Sequence, residues 1–512
     1  MKIFRNMRLQ GAAILLLFLS AGTNLPAQRN LPDETPLKRF ERALNDGAID
    51  SVESKLFDFV RANPSNAEGF ALLGRLRLKQ GRLNEARSLL TKALVLDPSL
   101  TAAKVDLAAV HLDLREADEA RALLAGIPDG EIKDNLLRLR LADDLMRLGE
   151  CARSLDVLKP LPVRSANTDA MPLRAACYLQ LGDQQAITSM MPAARALAAQ
   201  DPGSTVRVAE ALSQGGKYAE TVELLKLAVV SSPKNVPALL LLARTEILVK
   251  DMPGAAAHLA MAEKMDQGSS GLFHVKALFE SEKGNYIQAV DLFERALSIE
   301  PNNKQILSRL VVVAMQANQP SKAVAAARSL LNMEPQNLDF VYLLGAASLQ
   351  NKDLTQAETS LKSYVEARPA DGRGCLALGL TYAASPDRLE EARKQLVACL
   401  ANDPNNFEAS YQLGLSYKNV GEFAKAADYL EQTIQHSPRH AAALRDLGAV
   451  YLQMGQEPKA RPLLEKAALE NPDDADTHFQ LSRLYELIGE RELGKTQLEI
   501  FRKLKEKKKV GM

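Results

Sequence analysis

The chain has 512 residues, and its 64 basic and 63 acidic side chains nearly cancel. Balanced charge, without a long basic block in the body of the chain, argues against a nucleic-acid binder. The absence of tryptophan, an aromatic content of only 5% and many alanines and leucines favour closely packed helices over a β-sandwich or barrel. We therefore expect an all-α protein with no nucleic-acid partner.

The first predicted element is a signal peptide at residues 1–27. A positively charged start precedes an apolar run from Gly11 to Leu19, and small residues follow up to Ala27. This order is typical of a secretory signal peptide, and the run is shorter than the roughly 20 residues of a membrane-spanning helix. We expect cleavage after Ala27 and a periplasmic or secreted bacterial protein. An uncleaved N-terminal anchor, the only membrane contact we consider, is the alternative.

The body of the chain repeats with a period of about 34 residues. The stretch KGNYIQAVDLFERALSIEPNN at 283–303 has close echoes at 81–98, 215–233 and 421–438. A single register through these echoes predicts fourteen helix pairs between residues 33 and 508. The predicted repeats start at residues 33, 67, 101, 135, 169, 202, 236, 270, 304, 338, 372, 407, 441 and 475.

Most repeats carry the same packing marks. Small residues at position 8 and alanine at position 20 let two helices approach closely, and a bulky residue at position 24 fills the space between pairs. Glycine ends the first helix, as at Gly284, and proline ends the second helix because it has no N–H to donate, as at Pro301. These marks resemble those of the tetratricopeptide repeat family, whose repeat is a helix-turn-helix. The resemblance implies a right-handed α-solenoid of about fourteen such repeats.

The marks fade in one part of the chain. The second helix of the repeat that starts at residue 101 is predicted to end early, near Ala125, and five prolines lie between residues 160 and 202. Proline interrupts helices, so a joint is expected here, or merely an irregular stretch of solenoid. The predicted domains are an N-terminal repeat block at 33–168, a degenerate repeat and hinge at 169–201, a regular block at 202–508 and a tail at 509–512.

The sequence lacks the usual catalytic and metal-binding motifs. It has no phosphate-binding loop, dinucleotide fingerprint, zinc-protease helix or nucleophile elbow. His436 and His440 have the spacing of a metal pair, but Pro438 would break the helix that presents both. We therefore expect no enzyme activity, no cofactor and no metal.

Two of the four cysteines are predicted to form a disulfide. Cys375 at position 4 and Cys399 at the equivalent of position 27 lie opposite each other in an antiparallel helix pair, and export would place them in an oxidising compartment. The alternative is two packed thiols, since helix axes can hold the Cα atoms beyond bonding range. Cys151 and Cys177, at positions 17 and 9 of successive repeats, fit this geometry less well.

The family resemblance also implies a binding face, lined by first-helix positions such as 2, 5, 9 and 12. Positions 5 and 9 form an apolar and aromatic run from residue 308 to 415, which indicates a site for a protein or peptide segment. The lysine and asparagine with which some family members hold a terminal carboxylate occur together in none of these repeats. The alternative is that these side chains only pack against neighbouring first helices. The predicted partner-binding residues are Arg244, His274, Leu278, Ser308, Tyr342, Leu376, Leu380, Tyr411, Leu415 and Arg445.

The leading functional prediction is a non-catalytic scaffold of the cell envelope or exterior that binds a partner segment in the concave groove. The alternative is a glycan- or envelope-binding accessory module that works with a separate enzyme.

Overall fold

The computed structural model describes residues 35–128, 132–161 and 170–510, with side chains up to residue 507. Within these ranges the chain forms 28 α-helices, one short 3-10 helix and no strand. The predicted all-α fold is therefore confirmed. No helix in the described part of the chain combines the length and the apolar character that crossing a membrane requires. The predicted signal peptide at 1–27 lies outside the described residues.

The described helices divide between two compact units, and residues 35–267 form unit 1. Its odd-numbered first helices and even-numbered second helices alternate, and every first helix except α1 begins at the predicted residue or one residue later. The helices of unit 1 are α1 (Pro36–Asn45), α2 (Ile49–Ala62), α3 (Ala67–Lys79), α4 (Leu83–Leu96), α5 (Thr101–Asp113), α6 (Ala117–Ala125), α7 (Asn135–Arg147), α8 (Cys151–Leu158), α9 (Ala170–Leu181), α10 (Gln184–Gln200), α11 (Pro202–Gln214), α12 (Tyr218–Ser231), α13 (Val236–Leu248) and α14 (Met252–Glu263).

Residues 268–510 form unit 2, in which all seven first helices begin at the predicted residue. A 3-10 turn at Pro386–Arg388 takes up the one extra residue of its repeat. The last helix continues to Val510, two residues into the predicted tail. The helices of unit 2 are α15 (Ser270–Glu282), α16 (Tyr286–Ile299), α17 (Lys304–Gln316), α18 (Pro320–Met333), α19 (Leu338–Gln350), α20 (Leu354–Ala367), α21 (Gly372–Ala383), α22 (Leu389–Asn402), α23 (Phe407–Asn419), α24 (Phe423–His436), α25 (Ala441–Gln453), α26 (Glu457–Glu470), α27 (Ala475–Leu487) and α28 (Arg491–Val510).

Where position 8 is glycine, the bulky residue at position 24 packs on it within the same pair, and not only between pairs as predicted. A Cβ placed on Gly448 of α25 would lie only 2.6 Å from Cγ of Leu464 on α26. Carbon atoms pack at about 3.5 to 4 Å, so glycine is what lets these two helices meet. At the end of α15, Gly284 has φ of +83°, the left-handed conformation that ends a helix at low cost in glycine.

The spacing of helices within unit 2 defines an inner face. From α17 to α27, first helices of neighbouring repeats contact one another directly. Among the described residues of this unit, second helices of neighbouring repeats make few or no such contacts. A stack that is tighter along one side bends towards that side, so the first helices line the inner face of unit 2. Positions 5 and 9 are therefore predicted on the side where the stack is concave.

The fifth pair of unit 1 departs from this regular packing. Helix α10 is 17 residues long, contains Pro192 and packs against α12 as well as against α9 and α11. The predicted degenerate repeat at 169–201 falls on this pair, except for residue 169, which lies outside the described residues. A hinge role for this pair stays a prediction.

Candidate functional site

The first-helix face of unit 1 carries charges that are paired within the protein. Nη1 of Arg75 lies 3.4 Å from Oε1 of Glu41, and its Nε donates to Oδ2 of Asp106 at 2.7 Å. The other carboxylate oxygen of Asp106 accepts from Arg140. Because Arg75 and Asp106 are both almost fully buried, these groups satisfy one another across α1, α3, α5 and α7. Arg244, predicted at the margin of the binding site, lies half-buried on α13 of this unit and also has an interaction within the protein.

The other predicted partner-binding residues all lie on first helices of unit 2. Each occupies position 5 or 9 of its repeat, so these residues fall on the same side of successive helices. They are His274 and Leu278 on α15, Ser308 on α17, Tyr342 on α19, Leu376 and Leu380 on α21, Tyr411 and Leu415 on α23, and Arg445 on α25.

Two of these residues belong to the packed interior. His274 is 8% exposed, and its ring centroid lies 5.9 Å from that of Phe293. Tyr411 is 9% exposed, and its hydroxyl donates to Oδ2 of Asp446 at 2.9 Å. Their burial agrees with the alternative in which residues at positions 5 and 9 pack against the rest of the solenoid.

Leu278 on α15 is half-buried, and the other four apolar and aromatic residues form a half-buried row. We call Tyr342, Leu376, Leu380 and Leu415 the apolar row, because they lie on three successive first helices and are neither fully exposed nor fully covered. Tyr342 packs partly on the buried side chains of α20 and α21, and Leu415 on those around α24 and α25. Apolar side chains keep part of their surface in water here, and covering that surface with a partner lowers the free energy of binding.

Tyr342 is framed by a second tyrosine and by charged side chains. Its ring centroid lies 5.3 Å from that of Tyr364, and the guanidinium of Arg373 lies 5.2 Å from the Tyr342 ring centroid. Asp339 accepts from Arg368 at 2.7 Å and lies 4.0 Å from Arg373. This arrangement orients an aromatic ring between fixed charges on the inner face.

Asp371 anchors this cluster as an ionised carboxylate. Burial alone would raise the pKa of Asp371, but hydrogen bonds from Arg373 and Tyr364 outweigh it and lower the pKa to about 2. Arg373 donates to Oδ2 at 2.7 Å, and the Tyr364 hydroxyl donates to the same atom at 2.6 Å. Burial raises the pKa of Tyr342, so its hydroxyl remains a neutral hydrogen-bond donor at neutral pH.

The buried carboxylate of Asp446 binds side chains of α23, the helix that carries Leu415 at the end of the apolar row. Asp446 is 4% exposed and accepts from Lys418 at 2.6 Å, from Arg445 at 2.8 Å and from Tyr411 at 2.9 Å. Arg445 also donates to Asp474 at 2.9 Å. The guanidinium predicted as a marginal partner contact is therefore engaged between two carboxylates.

Sequence reasoning missed these charged partners because it followed only positions 5 and 9. Asp339 and Arg373 occupy position 2 of successive repeats. Opposite charges at one position, one repeat apart, were a signal for that ion pair. Asp446 occupies position 6, and no spacing rule indicated that three donors converge on it.

A disulfide ties the repeat that carries half of the apolar row. Sγ of Cys375 on α21 is bonded to Sγ of Cys399 on α22 at 2.05 Å, with the Cα atoms 5.4 Å apart. That Cα separation is in the ordinary range for disulfides, so the helix axes do not keep the two residues apart. The bond joins the first and second helices of this repeat, and Leu376 packs against the buried cluster that contains both cysteines.

Two shallow concavities of unit 2 lie away from the apolar row. One of about 460 Å³ is lined by α24, α25 and α26 and includes Tyr451 and Pro462. Another of about 370 Å³ lies between α22 and α24 and includes Val397 and Tyr429. Neither is lined by a predicted partner-binding residue. Within the described ranges, no group of His, Cys, Asp and Glu is arranged to hold a metal ion.

Comparison with known proteins identifies the repeat. A family model described as tetratricopeptide repeat matches residues 77–135, 281–332 and 419–484, and a second model of the same description matches 308–372. The chain contains tetratricopeptide repeats. Tetratricopeptide repeats generally bind protein partners and typically act as non-catalytic scaffolds.

Similar proteins cover the tetratricopeptide repeat array only in part. Cellulose synthase operon protein C of Pseudomonas fluorescens (strain SBW25) is 23% identical over 317 residues, which are 57% of this chain and 24% of that protein. Heat shock protein STI1 of Saccharomyces cerevisiae (strain ATCC 204508 / S288c) is 35% identical over 115 residues, which are 22% of this chain and 18% of that protein. The chain thus spans less than a quarter of the length of these two curated relatives.

Among solved structures, the APC/C hetero-tetramer Cut9-Hcn1 is similar with a TM-score of 0.40 and 14% identity. The likeness covers 88% of this chain and 96% of that chain. A score this low carries no conclusion about function.

Proposed function

We propose that this tetratricopeptide repeat protein is a non-catalytic scaffold of the cell envelope or exterior. Its binding surface is the apolar row on the first-helix face of unit 2, and its ligand is a segment of a partner protein. The observation that carries the proposal is the half-buried state of Tyr342, Leu376, Leu380 and Leu415 on successive first helices. Apolar side chains that stay partly uncovered on neighbouring helices are the kind of surface that a binding partner covers.

The charges beside the apolar row define the chemistry of the partner. Asp339 pairs with Arg368, and Asp446 pairs with Lys418, so each of these carboxylates already has a cationic partner within the protein. A partner therefore gains little by bringing a terminal carboxylate or a charged side chain. Apolar anchors on an internal extended or helical segment fit the row best, with the Tyr342 hydroxyl free to add a hydrogen bond.

Export is the second part of the proposal. It is supported by the order of charge, apolar run and small residues in 1–27, and by the Cys375–Cys399 disulfide, which persists in oxidising compartments. N-terminal sequencing of protein recovered from the periplasm or medium of a bacterial host is expected to start at Gln28. Protein that stays in the cytosol and starts at Met1 would overturn this part.

The alternative function is glycan binding. Cellulose synthase operon protein C, by its printed name, belongs to a cellulose synthase operon. On this chain, Tyr342 presents an aromatic ring with Asp339 and Arg373 nearby, and sugars are held by rings that stack on their C–H faces and by fixed polar groups.

Selection from a random peptide library on the whole chain separates the two candidates. The variant Tyr342→Ala/Leu380→Ala truncates two members of the apolar row. The control Ile287→Ala/Leu469→Ala truncates residues on second helices that are 70% and 81% exposed. We expect the first variant to bind selected peptides at least about tenfold more weakly, because each lost anchor costs on the order of 1–2 kcal/mol, and the control to bind like the wild type.

Peptides that bind the apolar-row variant as tightly as the wild type would refute the site. A glycan array run on the same three proteins provides the other arm. Binding to glycans alone, lost in the apolar-row variant and kept in the control, would establish the alternative function. Circular dichroism of both variants excludes loss of fold as the cause.

A further inference from the structure

The helix α28 is longer than the other second helices of unit 2. It has 20 residues, whereas α16, α18, α20, α22, α24 and α26 have 14 each. One side of α28 packs on α27, where the ring centroid of Phe501 lies 5.3 Å from that of Phe479. On another side Leu493 is 45% exposed, and Ile500 and Leu504 are half-buried. The helix therefore keeps apolar surface in contact with water.

The open apolar side chains of α28 lie in one strip. At about 100° per residue, Leu493, Ile500 and Leu504 fall within about 40° of one another around the helix axis. We call these three residues the α28 strip. Two more apolar side chains, those of Leu487 and Ile488, are 60% and 37% exposed just before α28 begins. Apolar residues of this stretch thus stay partly uncovered at five positions between 487 and 504.

Exposed lysines flank the α28 strip. Lys503 and Lys507 lie about 80° and about 40° from its centre line on the helix surface. Both side chains are exposed, and neither pairs with a carboxylate among the described residues. Positive charge therefore stands directly beside the apolar surface.

The acidic side chains of α28 do not cancel this charge. Glu499 and Glu506 lie about 120° or more from the centre of the α28 strip. Glu492 lies closer but pairs with Lys495 at 2.8 Å. The side of the helix that carries the strip is thus basic.

We propose that α28 binds the surface of a membrane that contains anionic lipids. The α28 strip lies against the acyl chains, and Lys503 and Lys507 lie among the headgroups. Helices that lie in the plane of a membrane combine an apolar face with basic side chains beside it, and both contribute to binding. This contact does not require a helix that crosses the membrane. It is separate from any N-terminal anchor and does not depend on what the apolar row binds.

The kind and the arrangement of these side chains favour a lipid surface over an acidic protein segment. Lysine carries a point charge on a flexible stem and lacks the planar fork with which arginine matches a single carboxylate. Leu493 and Lys507 lie about 21 Å apart along one side of a straight helix, which suits a flat surface. A membrane presents anionic headgroups along that whole length, and each lysine near them raises affinity about fivefold.

The test is co-sedimentation with vesicles of phosphatidylcholine, with and without phosphatidylglycerol. It uses the chain from Gln28 to Met512, which keeps every described helix and leaves out the apolar run at 11–19, itself able to bind lipid. We expect binding only to vesicles with phosphatidylglycerol, and release in about 1 M salt, where the Debye length is about 3 Å. Equal binding to both kinds of vesicle, or binding to neither, would overturn the proposal.

Two double variants assign the binding to α28. Lys503→Gln/Lys507→Gln should lower the partition coefficient on anionic vesicles at least about tenfold, because two charges leave the surface. The control Lys362→Gln/Lys394→Gln removes two exposed lysines from α20 and α22 and should bind like the wild type. Equal loss in both variants would show a diffuse charge effect and overturn the assignment to α28.

A tryptophan reporter tests the place of the α28 strip. The chain contains no tryptophan, so one introduced residue gives the whole signal. Emission of Leu493→Trp is expected to shift to shorter wavelength with anionic vesicles, because tryptophan favours the membrane interface over water. The control Leu469→Trp, at a position of α26 where leucine is 81% exposed, should not shift. The same emission with and without vesicles in Leu493→Trp would refute insertion of the strip.

Other occupants of the strip give different results. Binding to poly-glutamate but not to vesicles would assign Lys503 and Lys507 to an acidic protein segment and overturn the proposal. A dimer that ignores vesicles and dissociates in Leu493→Ser/Ile500→Ser would assign the strip to a second copy, with the same consequence. Thermal melting followed by circular dichroism checks that each variant keeps its helices.

Discussion

Replacement of Asp446 by asparagine should destabilise unit 2 more than any exposed charge change in it. The carboxylate is 4% exposed and accepts three hydrogen bonds, two of them from the cations of Lys418 and Arg445. Asparagine has one oxygen acceptor, and its amide N–H groups would face donors. Each charge-assisted bond is worth about 1.5–3 kcal/mol. The side chains of Lys418 and Arg445 are 27% and 21% exposed, so both regain water in part. We therefore expect a net loss of about 2–4 kcal/mol in free energy of unfolding.

The matched control is Asp476→Asn, whose carboxylate is 63% exposed and pairs with Lys505 at 3.2 Å. An exposed pair contributes at most about 1 kcal/mol, and often nothing measurable. Urea denaturation of both variants gives the two free energies, and hydrogen exchange shows whether the weakened amides lie in α23 to α25, as the local energetics of repeat proteins require. A loss at Asp446 no larger than that of the control would refute the view that this buried carboxylate holds α23 and α25 together.

Three further perturbations probe packing, covalent linkage and pH. Gly448→Ala should lower the free energy of unfolding by about 1–3 kcal/mol, because the new Cβ would lie 2.6 Å from Cγ of Leu464; an unchanged denaturation midpoint would contradict this packing. Cys375→Ser/Cys399→Ser should lower it by about 3 kcal/mol, given a sequence separation of 24, and reductant should reproduce that loss in the wild type but leave the variant unaffected. The pKa of Asp144 is raised well above 3.8, mainly by burial, so its ionisation opposes folding and stability falls as pH rises from 3.8 towards the folded-state pKa. Asp144→Asn should therefore melt at a higher temperature than the wild type near about pH 7 and lose that advantage below about pH 4; the same difference at both pH values would refute the cause.

The register of the fold was predictable because the packing marks recur in most repeats. Small residues at position 8 and bulky ones at position 24 must coincide for a pair to close, as Gly448 and Leu464 do. That requirement placed all seven first helices of unit 2 at the predicted residues. Helix α1 is the exception, since Thr35 caps it and Pro36 occupies its first turn, three residues later than the register predicts.

The solvent exposure of the predicted partner-binding residues was less predictable, because it depends on the neighbouring helix. Tyr411 and Leu415 share a helix and a face, yet only Tyr411 is fully covered, with its hydroxyl on Asp446 of the next first helix. Position within a repeat fixes the direction in which a side chain points. The residue contributed by the adjoining repeat decides whether solvent reaches it.

The 3-10 turn at Pro386–Arg388 shows where this architecture tolerates change in length. One added residue between α21 and α22 is absorbed in that turn, and α23 still begins at Phe407 without disturbance of the following pairs. Insertions at the turn inside a pair thus leave neighbouring interfaces intact, whereas insertions within a helix would rotate every later side chain by about 100°. The same turn is therefore a natural place to insert an epitope or a fluorescent label, and such a label would report on unit 2 while leaving the apolar row in register.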